Sequence, residues 1–354
     1  MGARKLNIEP APDFRRLEKV LRREGEPDRV PFYELFSNIE PEVMERIDAP
    51  PPPAPEDAPG SAHIHYQYAL GYDYVNCGGE GFSFPREELK KAETKEGKRA
   101  YVMSSDATIS GREDFEKYPW VVMSEVDYSP LDKIEPFLPE RMKVIPMGPG
   151  GVLENVMWLL GYEGISYLLA DDEPLVGEIF DAVGSRLTEY LGTCASFRSV
   201  GACCLGDDMG FKTATMLSPD ALRKYVFPWH RKINEAVHAY GKPTILHSCG
   251  NLTEVIDDVI ACGWDAKHSF EDNIQPIWEA KAAYGDRIAL LGGFDMNKIA
   301  SMATNDIRAH TRDLIDRCAP GGGWALGTGN SVANYVPVEN FLDMMEEGYA
   351  SGAR

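Results

Sequence analysis

The chain has 354 residues, 44% of them hydrophobic, and a net charge of −20 with a pI near 4.8. That length and apolar content suit two ordinary domains or one large α/β barrel with a sizeable core. The negative charge repels phosphate backbones and anionic headgroups, which argues against nucleic-acid and membrane partners, and no run of about 18 apolar residues offers a membrane span.

Residues 1–29 read as a polar N-terminal arm with one helix near Asp13 to Arg23. The opening MGARKLNIEPAPDF lacks the apolar stretch of a signal peptide. Seven cysteines without framework spacing fit free thiols in a reducing cytoplasm. "RVPFYELF" (29–36) reads as a first strand. A Pro-rich loop follows at 49–61, and "ELKKAETKEGKRAYVMSSDATISG" (88–111) as a hairpin, so 50–120 is expected to be an insertion or excursion from a single domain. "MKVIPMGPGG" (142–151) is a strand with a Gly-rich turn, and one helix is expected over 153–172.

From about residue 174 strands and helices alternate. Helices are expected at 174–198, from Ser218-Pro219-Asp220 onward, at 252–262, 275–284, 304–318 and 337–350. The strands between them are "GACCLGDDMG", "PTILHSCGN", "WDAKHSFED", "RIALLGGFD" and "GGWALGTGN". A spacing of about 30 residues per strand–helix unit predicts a parallel sheet, with a (β/α)8 TIM barrel favoured over an open doubly wound sheet.

Barrel active sites lie at the C-terminal ends of the strands. This sequence places Glu34 and Asn38 there, then Glu154, Asp207 and Asp208, His247 and Cys249, His268 and Glu271, Asp295, and finally Thr328 and Asn330. Asp208, Asn251 and Asn330 suit helix caps as well as chemistry. In "TILHSC" the two-residue period of a strand turns His247 and Cys249 to the same side. An imidazole and a thiolate on one face match zinc, yet they are two ligands where a site needs at least three; a packed or hydrogen-bonded pair is the competing reading. Of Cys203 and Cys204, one faces the barrel and the other its helices. The Gly-rich stretches lack a phosphate-loop lysine and read as turns.

Three blocks, "GDDMGFKTATMLSPDALRKYVFPWHRKINEAVHAYGKPTILHSCGN", "YGDRIALLGGFD" and "GGWALGTGNSVANYVPVENF", resemble the uroporphyrinogen decarboxylase superfamily over about residues 140–350. The resemblance implies a (β/α)8 barrel and a homodimer, for which Trp158 and Tyr162 are candidate contacts. The haem-synthesis decarboxylase carries an Arg-rich motif on the first strand and a histidine in a late G-H-G. Here "PFYELFSNIEP" puts Glu34 where cations belong, and Thr328 stands in "GTG". The cobalamin-dependent methyltransferase branch fits better. It binds zinc through H-x-C, matched by His247 and Cys249, and a later G-C-G cysteine, replaced here by Thr328. Glu34, Glu154, Asp207 or Glu271 is then expected to complete the shell, since zinc accepts carboxylates.

The resemblance therefore implies a zinc-dependent methyltransferase or demethylase. It would move a methyl group between a small-molecule ether, amine or thiol and a corrinoid on a separate partner protein, since no D-x-H-x-x-G corrinoid motif occurs here. Glu34, Glu154, Asp207 and His247 are the expected catalytic residues, and Asn38, Glu271, Thr328 and Asn330 the expected substrate-binding ones. A metal-free decarboxylase-like lyase is the alternative, with Asp207 or Glu34 acting beside His247. A non-catalytic barrel is the third reading.

Overall fold

The computed structural model describes residues 2–86, 91–93, 99–101 and 107–353. Nine short strands occur among them, in chain order: β1 (Tyr74–Asn76), β2 (Lys91–Glu93), β3 (Arg99–Tyr101), β4 (Lys143–Ile145), β5 (Cys203–Gly206), β6 (Thr244–His247), β7 (Ala266–His268), β8 (Ala289–Leu291) and β9 (Trp324–Ala325). β5 to β9 pair in sequence order as one parallel sheet. β1 pairs in parallel with β4, and parallel bridges Val144–Val200 and Met147–Cys204 carry the pairing on to the β5 segment. At the far edge Phe32 bridges Leu326 in parallel, with Tyr33 N–H donating to Leu326 O and Leu326 N–H to Pro31 O. The extended segment around Phe32 is therefore the first barrel strand. With β1, β4 and β5–β9 it makes the eight strands of a (β/α)8 barrel.

Helices separate the strands much as the periodicity predicts. Glu173–Ser196, Ile277–Tyr284, Thr304–Cys318 and Val338–Ser351 match within a few residues, and Ser218 caps its helix by accepting Ala221 N–H. The helix expected over 153–172 is two, Val152–Leu160 and Tyr162–Asp171, divided at Gly161, whose φ of 71° suits glycine. Within the 50–120 stretch Tyr74–Asn76 belongs to the barrel, so the excursion reading gives way there. Of the expected hairpin, β2 and β3 pair antiparallel; residues 87–90, 94–98 and 102–106 lie outside the described residues. Trp158 lies under the Arg86 guanidinium, 3.8 Å from its ring centre, while Tyr162 is exposed. Among the described residues no helix is long and apolar enough to cross a membrane. All seven cysteines are free thiols. Cys203 turns outward to Leu191 O and Cys204 inward to Tyr33 Oη, as strand alternation requires.

Two seams flank the first strand, and each uses polar side chains. Towards β1, Tyr74 Oη donates to Glu34 O at 2.6 Å and accepts Glu34 N–H at 2.9 Å, while Asn76 Nδ2 donates to Leu35 O at 2.7 Å. Towards β9 the backbones come so close that a Cβ on Gly327 would stand 1.8 Å from Tyr33 O. There Glu34 Oε1 accepts Thr328 N–H at 2.7 Å. Thr328 Oγ1 lies within hydrogen-bond reach of both Glu34 Oε2 and Asn330 O. One hydroxyl proton cannot serve two acceptors, so Thr328 donates to the Asn330 carbonyl and a protonated Glu34 donates to Thr328. Burial pushes the Glu34 carboxyl up to about 8, against the opposing pull of the Thr328 hydrogen bonds, which agrees with that assignment.

Glu34 thus gains a proton on folding, since the unfolded carboxyl ionises near 4.5. Its stabilising contribution is fully present below that value and is lost as pH rises through about 8. Glu34→Gln places a permanent N–H donor opposite Thr328. Between about pH 6 and 9 the wild type is expected to lose about 2–3 kcal/mol relative to Glu34→Gln in urea unfolding. Parallel pH profiles for the two proteins would contradict a neutral Glu34.

Candidate metal centre

β6 delivers His247 as its last residue, and the chain stays extended far enough for Cys249 to follow on the same face. His247 Nε2 and Cys249 Sγ are 3.5 Å apart. The third side chain is Asp208, from the loop after β5. Its Oδ1 accepts Cys249 N–H at 2.7 Å and lies 3.7 Å from His247 Nε2. One ligand atom from each of the three lies within 4.8 Å of the others, and among the described residues no other group of three His, Cys, Asp or Glu converges in this way. One imidazole, one thiol and one carboxylate form a donor set that zinc accepts. The Asp208 side chain keeps 35% of its surface exposed, which leaves one flank open.

The charge state of this cluster follows from its burial. Burial, then the Lys267 charge, pushes His247 down to about 3, so the imidazole is neutral and offers a lone pair. Burial and the Asp208 charge push the Cys249 thiol up, so it carries its proton until a cation displaces it. Asn330 Nδ2 donates to Cys249 Sγ at 3.2 Å, which favours negative charge on that sulfur. Lys267 is 4% exposed and donates from Nζ to Ser269 O at 2.6 Å and Ser248 O at 3.3 Å. Burial lowers it to about 8, while Cys249, Asp208 and Glu271 pull the other way. A cavity of about 220 Å³ lies between the outer face of β7 and the helices beside it, lined by Lys267, Ser269, Ile256, Asp257, Tyr284 and Arg287 among others; Asp208, His247 and Cys249 do not line it.

The acid beside His247 and Cys249 is thus Asp208 and not Asp207, which turns the opposite way and is fully buried. Asp207 accepts Leu153 N–H at 3.2 Å, Glu154 N–H at 3.0 Å and His230 Nε2–H at 2.8 Å. The Trp264 indole, a donor only, hydrogen-bonds His230 Nδ1 and leaves the His230 proton on Nε2, aimed at Asp207. A Cβ on Gly151 would meet the Asp207 Cβ at 2.1 Å, so glycine is required where this helix start meets β5. Asp207 is a structural anchor for the helix Val152–Leu160.

Glu154 accepts Gly151 N–H at 3.2 Å and also the backbone N–H of Asp208. Burial, then the charges of Asp208 and Asp207, raises its carboxyl to about 9, so Glu154 holds a proton beside Asp208, whose own carboxyl burial also pushes up. Glu34 and Thr328 are committed to the strand seam and stand outside the cluster. Asn330 reaches Cys249, Glu271 lines the cavity on the helix side of the strands and not the cluster, and Asn38 is exposed, with its backbone N–H donating to Val332 O.

The two neighbouring acids separate cleanly by substitution. Asp207→Asn puts an amide N–H against N–H donors in a fully buried site, and a loss of about 2–4 kcal/mol is expected in urea unfolding. Asp208→Asn keeps an oxygen for Cys249 N–H, and a change below about 1 kcal/mol is expected. Equal losses would place both acids in the same structural role.

Comparison with known proteins agrees with this architecture. The family profile described as uroporphyrinogen decarboxylase (URO-D) matches residues 150–350. The methylcobamide:CoM methyltransferase MtaA of Methanosarcina barkeri is 27% identical over 139 residues, 38% of this chain and 39% of that protein. Its counterpart from strain Fusaro is 25% identical over 126 residues, 35% of each chain. The chain thus spans less than two fifths of the length of these curated relatives. Among solved structures, a methyltransferase from Methanosarcina mazei superposes with a TM-score of 0.64 at 17% identity, covering 94% of this chain and 97% of that one, which is a likeness of fold. With its eight-stranded barrel and a profile match over more than half its length, the chain belongs to the uroporphyrinogen decarboxylase family.

Proposed function

We propose that the chain is a zinc-dependent methyltransferase that moves a methyl group between a small molecule and a corrinoid carried by a separate protein. The observation that carries this reading is the Asp208–His247–Cys249 triangle at the barrel's C-terminal end. The methylcobamide:CoM methyltransferases among its relatives supply the reaction class. A zinc ion held by these three side chains would supply Lewis acidity to the heteroatom that gains or loses the methyl group. His247 gives its Nε2 lone pair, Cys249 gives up its thiol proton, and Asp208 contributes a carboxylate oxygen. Asn330 holds the Cys249 sulfur in place. Glu154 holds a proton at its carboxyl beside Asp208 and would give it to the oxygen or nitrogen as the methyl group leaves for the reduced Co(I) corrinoid of the partner, so that the C–O or C–N bond broken is balanced by the new methyl–cobalt bond and an alcohol or amine is released.

Direct metal binding tests the reading first. One zinc per chain is expected after reconstitution, with Cys249→Ser and Asp208→Asn each weakening affinity by about tenfold or more in competition with a chromophoric chelator. Because Cys249 is protonated without the metal, each zinc bound should release about one proton between pH 6 and 8, and affinity should rise about tenfold per pH unit. Calorimetry in buffers of different ionisation enthalpy reads that proton. Transfer from methylcobalamin to a small thiol, followed by the cobalamin visible spectrum, should depend on the bound zinc. Absence of zinc binding, with activity untouched by chelators, would overturn the proposal and move a metal-free lyase ahead.

A further inference from the structure

We propose that His268 is a positioning residue that holds His247 in the one tautomer able to bind a metal through Nε2. This inference rests on the metal-centre reading above but concerns a different residue and is measurable without metal.

The chain of reasoning starts at a backbone carbonyl. His268 Nε2 lies 3.1 Å from Thr328 O, which can only accept, so His268 carries its proton on Nε2. A neutral imidazole has one N–H, and His268 is fully buried next to the cationic Lys267, so its Nδ1 is an acceptor. That Nδ1 stands 2.7 Å from Nδ1 of His247. Two bare nitrogens would repel at that distance, so His247 supplies the proton and is itself the Nδ1–H tautomer. Its Nε2 is then bare, and Nε2 is the atom that faces Cys249 Sγ and Asp208 Oδ1. In the opposite tautomer the Nε2 proton would occupy the metal's place.

The arrangement is built into the barrel. Parallel register sets His247 directly opposite His268 on adjacent strands, with ring centres 5.0 Å apart. Gly292 and the Tyr33 ring pack on His268 and fix its orientation. A metal-bound histidine ordinarily donates its second N–H to a carbonyl, carboxylate or water. Here another histidine takes that role and passes the constraint to the last barrel strand through Thr328 O. Thr328, which lends no side chain to the cluster, acts on it through its carbonyl.

Two-bond nitrogen–proton spectra of the 15N-labelled, metal-free protein test this, with His247 and His268 assigned by substitution. In the wild type His247 is expected to be protonated at Nδ1 and bare at Nε2, and His268 the reverse. His268→Phe removes the acceptor, so the His247 proton should move to Nε2 and zinc affinity should fall about 10–100-fold. His268→Gln offers an amide oxygen to His247 Nδ1–H and an amide N–H to Thr328 O, and should restore the tautomer and bring zinc affinity back to within a few-fold. A wild-type His247 protonated at Nε2, or a tautomer unmoved by His268→Phe, would overturn the inference. If His268→Phe does not fold, the wild-type spectrum and His268→Gln still decide it. The expected tautomers in a protein that binds no zinc would sink the metal reading and leave the tautomer assignment standing.

Discussion

The site depends on one register. β6 lies between β5 and β7, all parallel, with Gly206 opposite His247 and His247 opposite His268. Because side chains alternate along a strand, that single pairing puts both imidazoles inside the barrel and sends Lys267 outward. Slipping β7 by one residue would set Lys267 or Ser269 against His247 and reverse every face. The Nδ1–Nδ1 contact of 2.7 Å, the bare Nε2 and the meeting with Cys249 and Asp208 all follow from it.

Around that pairing, burial sorts acids that look alike in sequence into different protonation states. Glu34 is neutral and joins the first strand to the last through Thr328. Asp207 accepts hydrogen bonds from the N-terminus of a helix and from His230 Nε2–H. Glu154 stays protonated because it is buried and because Asp208 and Asp207 stand close by, and Asp208 is the acid of this group that faces the open side. A polypeptide with a net charge of −20 buries carboxyls here either by neutralising them, as at Glu34 and Glu154, or by surrounding them with donors, as at Asp207.

The sequence made the barrel legible because apolar strands recur at a steady spacing, each ending in polar residues. Strand parity predicted that His247 and Cys249 share a face and that Cys203 and Cys204 do not, and both hold. At "GDD" both acids sit past the end of β5 at Gly206, where no period orients them, and Asp208 reads equally as a helix cap, so Asp207 is the acid expected at the site. The break at Gly161 was hidden by apolar residues on both sides. Glu34 read as a site acid because its partner Thr328 lies 294 residues away in sequence. His268 stood among the polar strand ends, but its role needed the register between β6 and β7, which no single segment encodes.

The central claim is that one imidazole, one thiolate and one carboxylate converge on a zinc ion with a single sulfur in its shell. Zinc-edge X-ray absorption of the reconstituted protein tests it most directly. The account predicts one sulfur at about 2.3 Å together with nitrogen and oxygen neighbours at about 2.0–2.2 Å, and no sulfur in Cys249→Ser. Two sulfurs around zinc in the wild type, or one that survives Cys249→Ser, would contradict it.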